Sequence, residues 1–598
     1  THEITLNVAA RLKETILKCY YRDIRQLKRR LTFRGVDKLI SDAEREIYNA
    51  AYYSGKGYSG ADDLLADLLA IRKKLIEEHD SLFLELLDAF IIKVRMFGFF
   101  FATMDIRQDS SKHDVLWEAI LKKNPIKNFD RLTEDQQIKA ILKLDFEPRK
   151  LKSADPFVQD MIQTVYAIQT IQERNGAEGC HRYVISNCGS ALDVMKVYQI
   201  ARLTLAGEGD LLLDIVPLFE TIEDLKTAGE VMAKLYSIPQ YRKHLEARSN
   251  KQTIMLGFSD GTKDGGYLRA NWSIFRAKEN LTRISREHGI TVVFFDGRGG
   301  PPARGGGNTH DFYASLGSTV EDQEVQLTIQ GQTISSNFGQ VSSCLFNLEQ
   351  LLSAGIEQDV FGEESKDLTR EDKALLDELA EAGYQSYLGL KHHPKFVPYL
   401  EKMTPLPFFG ETNIGSRPVK RNASEGLKFE DLRAIPFVGA WAQMKQNIPG
   451  FYGVGSALEA MKKEGQFTKL KNLHKRSLFF RTLLANSMMS LTKTYYPATH
   501  YLSRDEEFGE FWNKMFEEYK RSCKHILEVT ALDELMQNNP VNRESVKLRE
   551  RIVMPLIAIQ QFALQRLRSG EDSKHTRDYQ KLVLRCMFGI INAARNSA

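Results

Sequence analysis

Six short apolar runs punctuate the middle of the chain and constrain its fold more than any other feature. Most are separated by stretches in which apolar residues recur every three or four positions, a spacing that predicts helices. Strands that alternate with helices favour a parallel sheet or a barrel. The predicted strands are FFFATM (99–104), YVIS (183–186), LLLDIVPLF (211–219), TIMLGF (253–258), VVFF (292–295) and VQLTI (325–329).

Polar residues follow five of these runs, as DIRQDS, NCGSALD, ETIED, SDGTKDGG and DGRGG. In parallel α/β architectures, ligands bind at the carboxyl ends of the strands, so a site is expected there. From about residue 460 onward the pattern predicts helices alone. The predicted helices cover 3–30, 64–95, 190–206, 222–236, 265–288, 468–498, 505–530, 543–569 and 575–595.

The stretch TVVFFDGRGGPPARGGGNTH (291–310) places Arg298 and Arg304 among glycines directly after a predicted strand. Glycine lets the backbone approach a ligand closely, and arginine presents planar donors that match carboxylate and phosphate oxygens. The stretch therefore predicts an anion site. The alternatives are a flexible loop with two solvated arginines and an RNA-binding segment of the RGG type, which is usually repeated.

Two carboxylates end neighbouring predicted strands, Glu220 after DIVPLF and Asp260 after TIMLGF. Together they could share a hard cation such as Mg²⁺, although each could instead be the N-cap of the helix that follows it. Lys263 lies on the same turn as Asp260 and would neutralise an anion, or would be an exposed lysine.

Further cations follow apolar runs: Arg107 in MDIRQDS, Lys445 in AWAQMKQ and those of GSRPVKR (415–421). Because all of them follow apolar runs, a role in a binding site is favoured over the alternative that each is an ordinary surface charge. His113 and His310 are potential bases, but a lone histidine is more often structural.

The bulk composition limits the class of protein. With 82 Lys and Arg against 78 Asp and Glu, the net charge of +4 implies no general field for a polyanion, so no nucleic-acid partner is expected. The six cysteines include no CxxC pair, which favours a reducing, cytoplasmic setting. The most apolar long window, LLDAFIIKVRMFGFFFATM, contains three charges, so no membrane span is predicted.

Taken together, several of these stretches resemble phosphoenolpyruvate carboxylase, in family order and across nearly the whole chain. MDIRQDSSKH is similar to the family's LDIRQES motif, LFETIEDL to PLFET, and LGFSDGTKDGG to GYSDSxKDxG. FFDGRGGPPARGGGNTH resembles FHGRGG followed by RGGGPTH. Three later stretches complete the resemblance: NIGSRPVKR, LRAIPFVGAWAQMKQNIPGFYGVG and LRERIVMPLIAIQ, the last being similar to LRNxYxxPLNxLQ.

This resemblance implies an α/β fold, an incomplete distorted (β/α)8 TIM-type barrel with many additional helices, predominantly α-helical overall. It implies an anaplerotic carboxy-lyase of the cytoplasm that joins bicarbonate to phosphoenolpyruvate, giving oxaloacetate and phosphate with Mg²⁺ or Mn²⁺. It also implies a homotetramer built as a dimer of dimers, with aspartate or malate as effector. The expected division is a helical segment over 1–95, barrel strands and catalytic loops over 96–460, and a C-terminal helical region over 461–598.

Residue roles carried over by position fall into four groups. Glu220 and Asp260 would bind the metal. Phosphoenolpyruvate would be held by Arg107, Arg298 and Lys445. The catalytic set would comprise Arg298, Lys263 nearby, and Arg304 for the bicarbonate-dependent step. The inhibitor site would comprise Lys493, Arg549, Asn596 and the shared Arg304.

The chain departs from the family pattern at several positions. Asp296 stands where the family usually has His, which is expected to change the charge beside Arg298, and Lys445 stands where it usually has Arg. TIQGQ replaces TEQGE, so two carboxylates are absent. These departures indicate a divergent branch of the bacterial type.

The motifs TAHPTE, with the family's catalytic histidine, and GGDRDGNP do not occur in the sequence. The expectation is that this is the carboxyl-terminal two-thirds of the enzyme, inactive or weakly active alone. The alternative is a non-catalytic scaffold of the same fold that binds an effector and oligomerises.

Overall fold

The computed structural model describes residues 2–53, 55–151, 153, 155–206, 209–330, 332–361, 367–411, 427–430, 432–570 and 573–594. They form a mostly helical α/β protein with a parallel sheet, which confirms the predicted class. Six strands lie in the order β1 to β6, that is Asp105–Asp109, Arg182–Ser186, Asp214–Phe219, Lys251–Gly257, Thr291–Gly297 and Val325–Leu327.

The chain divides into two compact units, residues 1–217 with 234–252 and residues 218–233 with 253–598. The three-part division of the sequence stays a prediction. In the first unit β1 pairs with β2 and β2 with β3, all in parallel, with Arg107 opposite Val184. Its helices are α1 His2–Lys28, α2 Val36–Tyr52, α3 Ala61–Glu78, α4 Leu84–Phe97, α5 Ser110–Lys123, α6 Glu134–Leu142, α7 Pro156–Asn175, α8 Ala191–Ala201 and, after α9 (Ile222–Ser237), α10 Pro239–Ala247.

A continuous apolar core joins α1 to α4 in this unit, and Tyr20 and Phe99 belong to it. Phe99 was predicted to begin a strand, but FFFATM forms a turn after α4, and the strand begins only at Asp105. Arg107 therefore lies inside β1 and not beyond its end. The other five strand predictions are confirmed to within three residues at either end.

In the second unit, Leu218 of β3 pairs in parallel with Met255 of β4, and Phe294 of β5 with Val325 of β6. Within the described part of 461–598 there are helices and no strand, as predicted. The helices of the unit are α9 Ile222–Ser237 (its last turn falls in the first unit), α11 Phe258–Glu287, α12 Thr309–Ala314, α13 Gln332–Phe338, α14 Val341–Phe361, α15 Arg370–Lys391, α16 Phe396–Met403, α17 Ala434–Gln443, α18 Val454–Lys463, α19 Phe467–Arg476, α20 Leu478–Thr492, α21 Gly509–Thr530, α22 Pro540–Ser569 and α23 Thr576–Ala594.

Candidate active site

The glycine-rich loop after β5 buries both of its arginines, with 4% of Arg298 and 3% of Arg304 exposed. Arg298 Nε donates to the carbonyl oxygen of Gly305 at 2.5 Å, and its guanidinium lies 3.9 Å from the ring centroid of Phe312. The carbonyl of Arg298 accepts from Thr328 Oγ1 at 2.7 Å. The alternative of two solvated arginines is therefore wrong, and the burial also argues against an exposed RGG segment.

Arg304 reaches from the loop to the first turn of α11. Its Nε donates to Ser259 Oγ at 2.9 Å, and its Nη2 donates to Gln330 Oε1 at 2.9 Å. Among the described residues the buried Nη1 has no hydrogen-bond partner. Burial lowers the pKa of Arg304 to about 10, against the opposing attraction of Asp260, so the guanidinium stays charged at neutral pH. A buried, positively charged group that still has an N–H without a hydrogen-bond acceptor is suited to binding an anion.

The loop holds this shape because its two arms approach each other closely. Gly299 N donates to the carbonyl of Arg304 at 2.7 Å, and Arg304 N donates to Pro301 O at 2.9 Å. A Cβ at Gly306 would lie 1.8 Å from the carbonyl oxygen of Gly300, which excludes any side chain there. The glycines thus allow the chain to fold back on itself while placing Arg304 inward.

The two carboxylates lie on adjoining backbone. Glu220 directly follows β3 and is 6% exposed, and Asp260 lies in the first turn of α11. A Cβ at Gly257 would come within 3.1 Å of Glu220 Cγ, and one at Gly261 within 3.4 Å of Glu220 O. The turn that carries Asp260 therefore packs against Glu220.

Neither carboxylate is the N-cap that the alternative interpretation proposed. At the start of α9, Ile222 N donates to Asp264 Oδ2 at 3.1 Å, and Asp224 N donates to Thr221 Oγ1 at 3.1 Å. The residue preceding α11 is Gly257, which has no side chain to cap with. Capping thus does not account for Glu220 or Asp260.

Lys263 is buried, with 7% exposed, and is not the surface lysine of the alternative interpretation. Its Nζ lies 4.7 Å from the ring centroid of Phe429 and 3.4 Å from the carbonyl oxygen of Glu430. Three residues later Gly266 interrupts the helical dihedrals of α11 with φ +75°, and Tyr387 OH donates to Lys263 O at 2.8 Å. The kink and this bond set the direction of the lysine.

Asp296 was expected to change the charge beside Arg298, but its charge is already balanced. Lys278 of α11 pairs with its carboxylate at 2.8 Å, with side-chain exposures of 2% and 0%. Tyr313 OH donates to Asp296 Oδ2 at 2.9 Å. Burial lowers the pKa of Lys278, against the pull of Asp296, whereas burial and then Asp296 raise the pKa of Tyr313.

A second cationic cluster lies where the chain passes from α17 to α18. Lys445, 1% exposed, donates from Nζ to Glu550 Oε1 of α22 at 2.5 Å. Lys493 follows α20, and burial lowers its pKa to about 8 with further lowering by Arg549 and Lys445. The turn Ile448–Gly450 next to Lys445 packs against α20 and against the turn Pro302–Arg304 of the glycine loop.

Arg107 lies in β1 of the first unit, and its role in binding substrate stays a prediction. Asn596 and GSRPVKR (415–421) lie outside the described residues. His113 is buried, and its Nε2 lies 2.9 Å from Tyr183 OH; burial lowers its pKa to about 4, consistent with a structural role.

Four partners in these clusters were not predicted: Ser259, Lys278, Gln330 and Glu550. The spacing contained a signal for Lys278, which lies four residues after Ile274 on the apolar face of its helix. The signal for Glu550 was a departure from the family motif, since residues 548–550 read LRE where the motif has LRN. Ser259 and Gln330 meet Arg304 across 45 and 26 residues, and no local pattern indicates such contacts.

Throughout the described ranges, no group of three or more His, Cys, Asp or Glu is placed to hold a metal. None of the helices in those ranges has the length and apolar character needed to cross a membrane.

Comparison with known proteins agrees with these observations. The family model for phosphoenolpyruvate carboxylase matches residues 2–597. The chain belongs to the phosphoenolpyruvate carboxylase family. It is 32% identical over 564 residues to the phosphoenolpyruvate carboxylase of Corynebacterium glutamicum, covering 90% of this chain and 61% of that relative. Membership of this family of carboxy-lyases confirms the resemblance drawn from the motifs.

Proposed function

We propose that the protein carboxylates phosphoenolpyruvate with bicarbonate, giving oxaloacetate and phosphate. The observation that carries this proposal is Arg304, a buried guanidinium on a folded glycine loop, with an Nη1 that no described residue satisfies. Membership of the family supports the same reaction. Because the chain spans 61% of the relative, the activity is proposed for the intact protein.

The reaction balances as a phosphoryl transfer followed by carbon–carbon bond formation. A bicarbonate oxygen attacks the phosphorus, and the bond from phosphorus to the enol oxygen breaks to give carboxyphosphate and the enolate of pyruvate. Carboxyphosphate releases CO₂ and phosphate, which keeps the bicarbonate proton. The enolate carbon then bonds to CO₂. Negative charge moves at each stage, so fixed cations in a water-poor site lower the barriers.

The described residues would divide this work. Arg298 and Lys445 would hold phosphoenolpyruvate, chiefly its phosphate, with Lys263 nearby. Arg304 would bind the bicarbonate-derived anion through its remaining donor and hold it beside the enolate. Since its other donors bind Ser259 and Gln330, it would be oriented before the ligand arrives.

Glu220 and Asp260 would hold Mg²⁺ or Mn²⁺. The donor set fits a hard cation, because two carboxylates at adjoining strand ends leave most of the shell to water and substrate oxygens. The absent side chain of Gly257 keeps space beside Glu220, since a Cβ there would lie 3.1 Å from its Cγ. When bound, such a cation would supply charge stabilisation to the enolate oxygen.

The assay is simultaneous measurement of oxaloacetate and phosphate from the intact protein, with and without bicarbonate. Equal amounts of both products that require bicarbonate are expected. Arg304→Lys should lower the rate of oxaloacetate formation about a hundredfold or more, whereas Arg283→Lys, at an exposed surface pair with Glu287, should leave it unchanged. Phosphate release that does not depend on bicarbonate would contradict the proposal.

The barrel, the homotetramer, the cytoplasmic location and the aspartate or malate effector remain part of this proposal. Family membership supports them as expectations, and the six parallel strands are compatible with a barrel.

A further inference from the structure

The two ends of the glycine-rich loop are joined by a contact between a carboxylate and a tyrosine. Asp296 lies in β5, before the loop, and Tyr313 lies in α12, after it. Tyr313 OH donates to Asp296 Oδ2 at 2.9 Å, and both side chains are buried. Asp296 is held in turn by Lys278 of α11, 2.8 Å away. The tyrosine hydroxyl therefore links α12 to β5.

Arg298, at the start of the loop, lies against the same short helix. Its guanidinium is 3.9 Å from the ring centroid of Phe312 and 5.5 Å from that of Tyr313. Its Nε donates to the carbonyl oxygen of Gly305 at 2.5 Å. Because the carbonyl and the two rings carry no net charge, these contacts orient the guanidinium without neutralising it.

The position of α12 depends on contacts with its surroundings. The helix has six residues, and a helix so short is not stable without tertiary contacts. It packs against α14 and α20, and the hydroxyl of Tyr313 adds a directed contact with β5, the strand that leads to Arg298. The rings of Phe312 and Tyr313 meet edge to face with centroids 5.0 Å apart. A shift of Tyr313 would therefore move both rings that contact the guanidinium.

We propose that Tyr313 is a positioning residue for phosphoenolpyruvate binding and that it acts through the orientation of Arg298. Its hydroxyl, accepted by Asp296, holds α12 so that the two aromatic rings direct the guanidinium towards the phosphate of the substrate. The inference rests on the proposed function for the role of Arg298 and for the identity of the substrate.

The test is calorimetric titration of the intact protein with phosphoenolpyruvate and Mg²⁺ in the absence of bicarbonate, which measures binding without carboxylation. Tyr313→Phe keeps the ring beside Arg298 and removes only the hydroxyl, so the dissociation constant is expected to rise about tenfold. Tyr241→Phe is the matched control. It removes another buried hydroxyl, which donates to Gln252 at 2.8 Å in the first unit, and should leave the dissociation constant unchanged.

Two further variants show how the effect reaches the substrate. Asp296→Asn keeps an acceptor for the hydroxyl but removes the charge, so its dissociation constant should stay close to that of the parent. In a protein that already carries Arg298→Gln, Tyr313→Phe should have no further effect, because the residue through which it acts has been replaced.

A dissociation constant for Tyr313→Phe within about twofold of the parent value would overturn the inference. An equal rise in Asp296→Asn or in Tyr241→Phe would also overturn it, as would a rise that persists in the Arg298→Gln background. A merely structural role would lower the number of binding sites per chain, measured in the same titration, and leave the affinity of the remaining sites unchanged. Thermal unfolding scans show which variants are folded.

The outcomes for this inference and for the proposed reaction can be told apart. Phosphate release that does not depend on bicarbonate, with the contrast between parent and Tyr313→Phe retained, would refute the reaction alone. Carboxylation without that contrast would refute the inference alone. A parent protein that does not bind phosphoenolpyruvate would refute both.

Discussion

Replacing Asp296 with asparagine tests whether the buried pair with Lys278 stabilises the strand that precedes the glycine loop. The two side chains are 0% and 2% exposed and lie 2.8 Å apart, so solvent contributes little to either charge. Removing one partner of such a pair leaves the other charge buried, which typically costs about 3–5 kcal/mol. The amide oxygen of the substituted side chain would still accept from Tyr313, so that hydrogen bond adds little to the loss.

The stability lost in Asp296→Asn is expected to become smaller as the pH rises. Burial has already lowered the pKa of Lys278, and losing Asp296, which raises it, would lower it further. The folded variant then binds fewer protons than its unfolded chain, so its stability rises with pH as Lys278 loses its proton. The difference in the free energy of unfolding between parent and variant should therefore narrow as the pH rises towards the ordinary pKa of lysine, about 10.4.

Urea unfolding of parent and variant at several pH values measures both quantities. A matched double variant, Asp296→Leu with Lys278→Met, removes both charges and should recover most of the lost stability, because apolar side chains replace a buried pair at little cost. A loss below about 1 kcal/mol in Asp296→Asn, or a double variant as unstable as the single one, would refute this account of the pair.

Three further predictions concern the candidate site. Arg304→Lys should lower kcat about a hundredfold or more with little change in thermal stability, because a lysine cannot reproduce the planar set of donors; steady-state kinetics decide, and near-parental kcat would contradict it. Glu220→Gln should weaken Mn²⁺ binding, measured by electron paramagnetic resonance, by about tenfold or more, and unchanged affinity would remove Glu220 from the metal site. Binding of a dicarboxylate near pH 8 to 9 should be accompanied by uptake of a proton, because a bound anion raises the pKa of Lys493 above its value of about 8. The affinity for the dicarboxylate should therefore fall at higher pH. Calorimetry in buffers of different ionisation enthalpy measures the proton uptake, and its absence would show that Lys493 is not involved.

The four largely buried strands, β2 to β5, were predictable from their apolar runs, and the half-exposed β6 was also found, whereas β1 was missed. β4 and β5 are largely buried, so their apolar runs stand out in the sequence. β1, DIRQD, is the first strand of the sheet order, and its residues are half-exposed or exposed, so apolar content is a poor guide. The neighbouring FFFATM was misread because Phe99 is buried in a helical core.

The positions of the candidate site residues were predictable where those residues come soon after a strand, and their roles stay predictions. Glu220, Asp260 and Arg298 all obey this rule, since the end of a parallel strand places the next side chain at one edge of the sheet. The partners that define their environment come from elsewhere in the chain. Lys278 neutralises Asp296 from the far half of α11, and Glu550 reaches Lys445 across 105 residues, so the sequence does not show which acidic residue pairs with which lysine.

The glycine loop gives its two arginines different tasks. Arg298 is held by Gly305 O and the face of Phe312, contacts that belong to the loop and α12 and so maintain the loop's shape. Arg304 is held from outside the loop by Ser259 and Gln330, which leaves Nη1 unsatisfied among the described residues. A buried donor without a partner destabilises the folded protein, and such donors occur at sites where a bound ligand supplies the missing hydrogen bond. Arg304, which the loop leaves incompletely bonded, is therefore the arginine expected to bind the bicarbonate-derived anion.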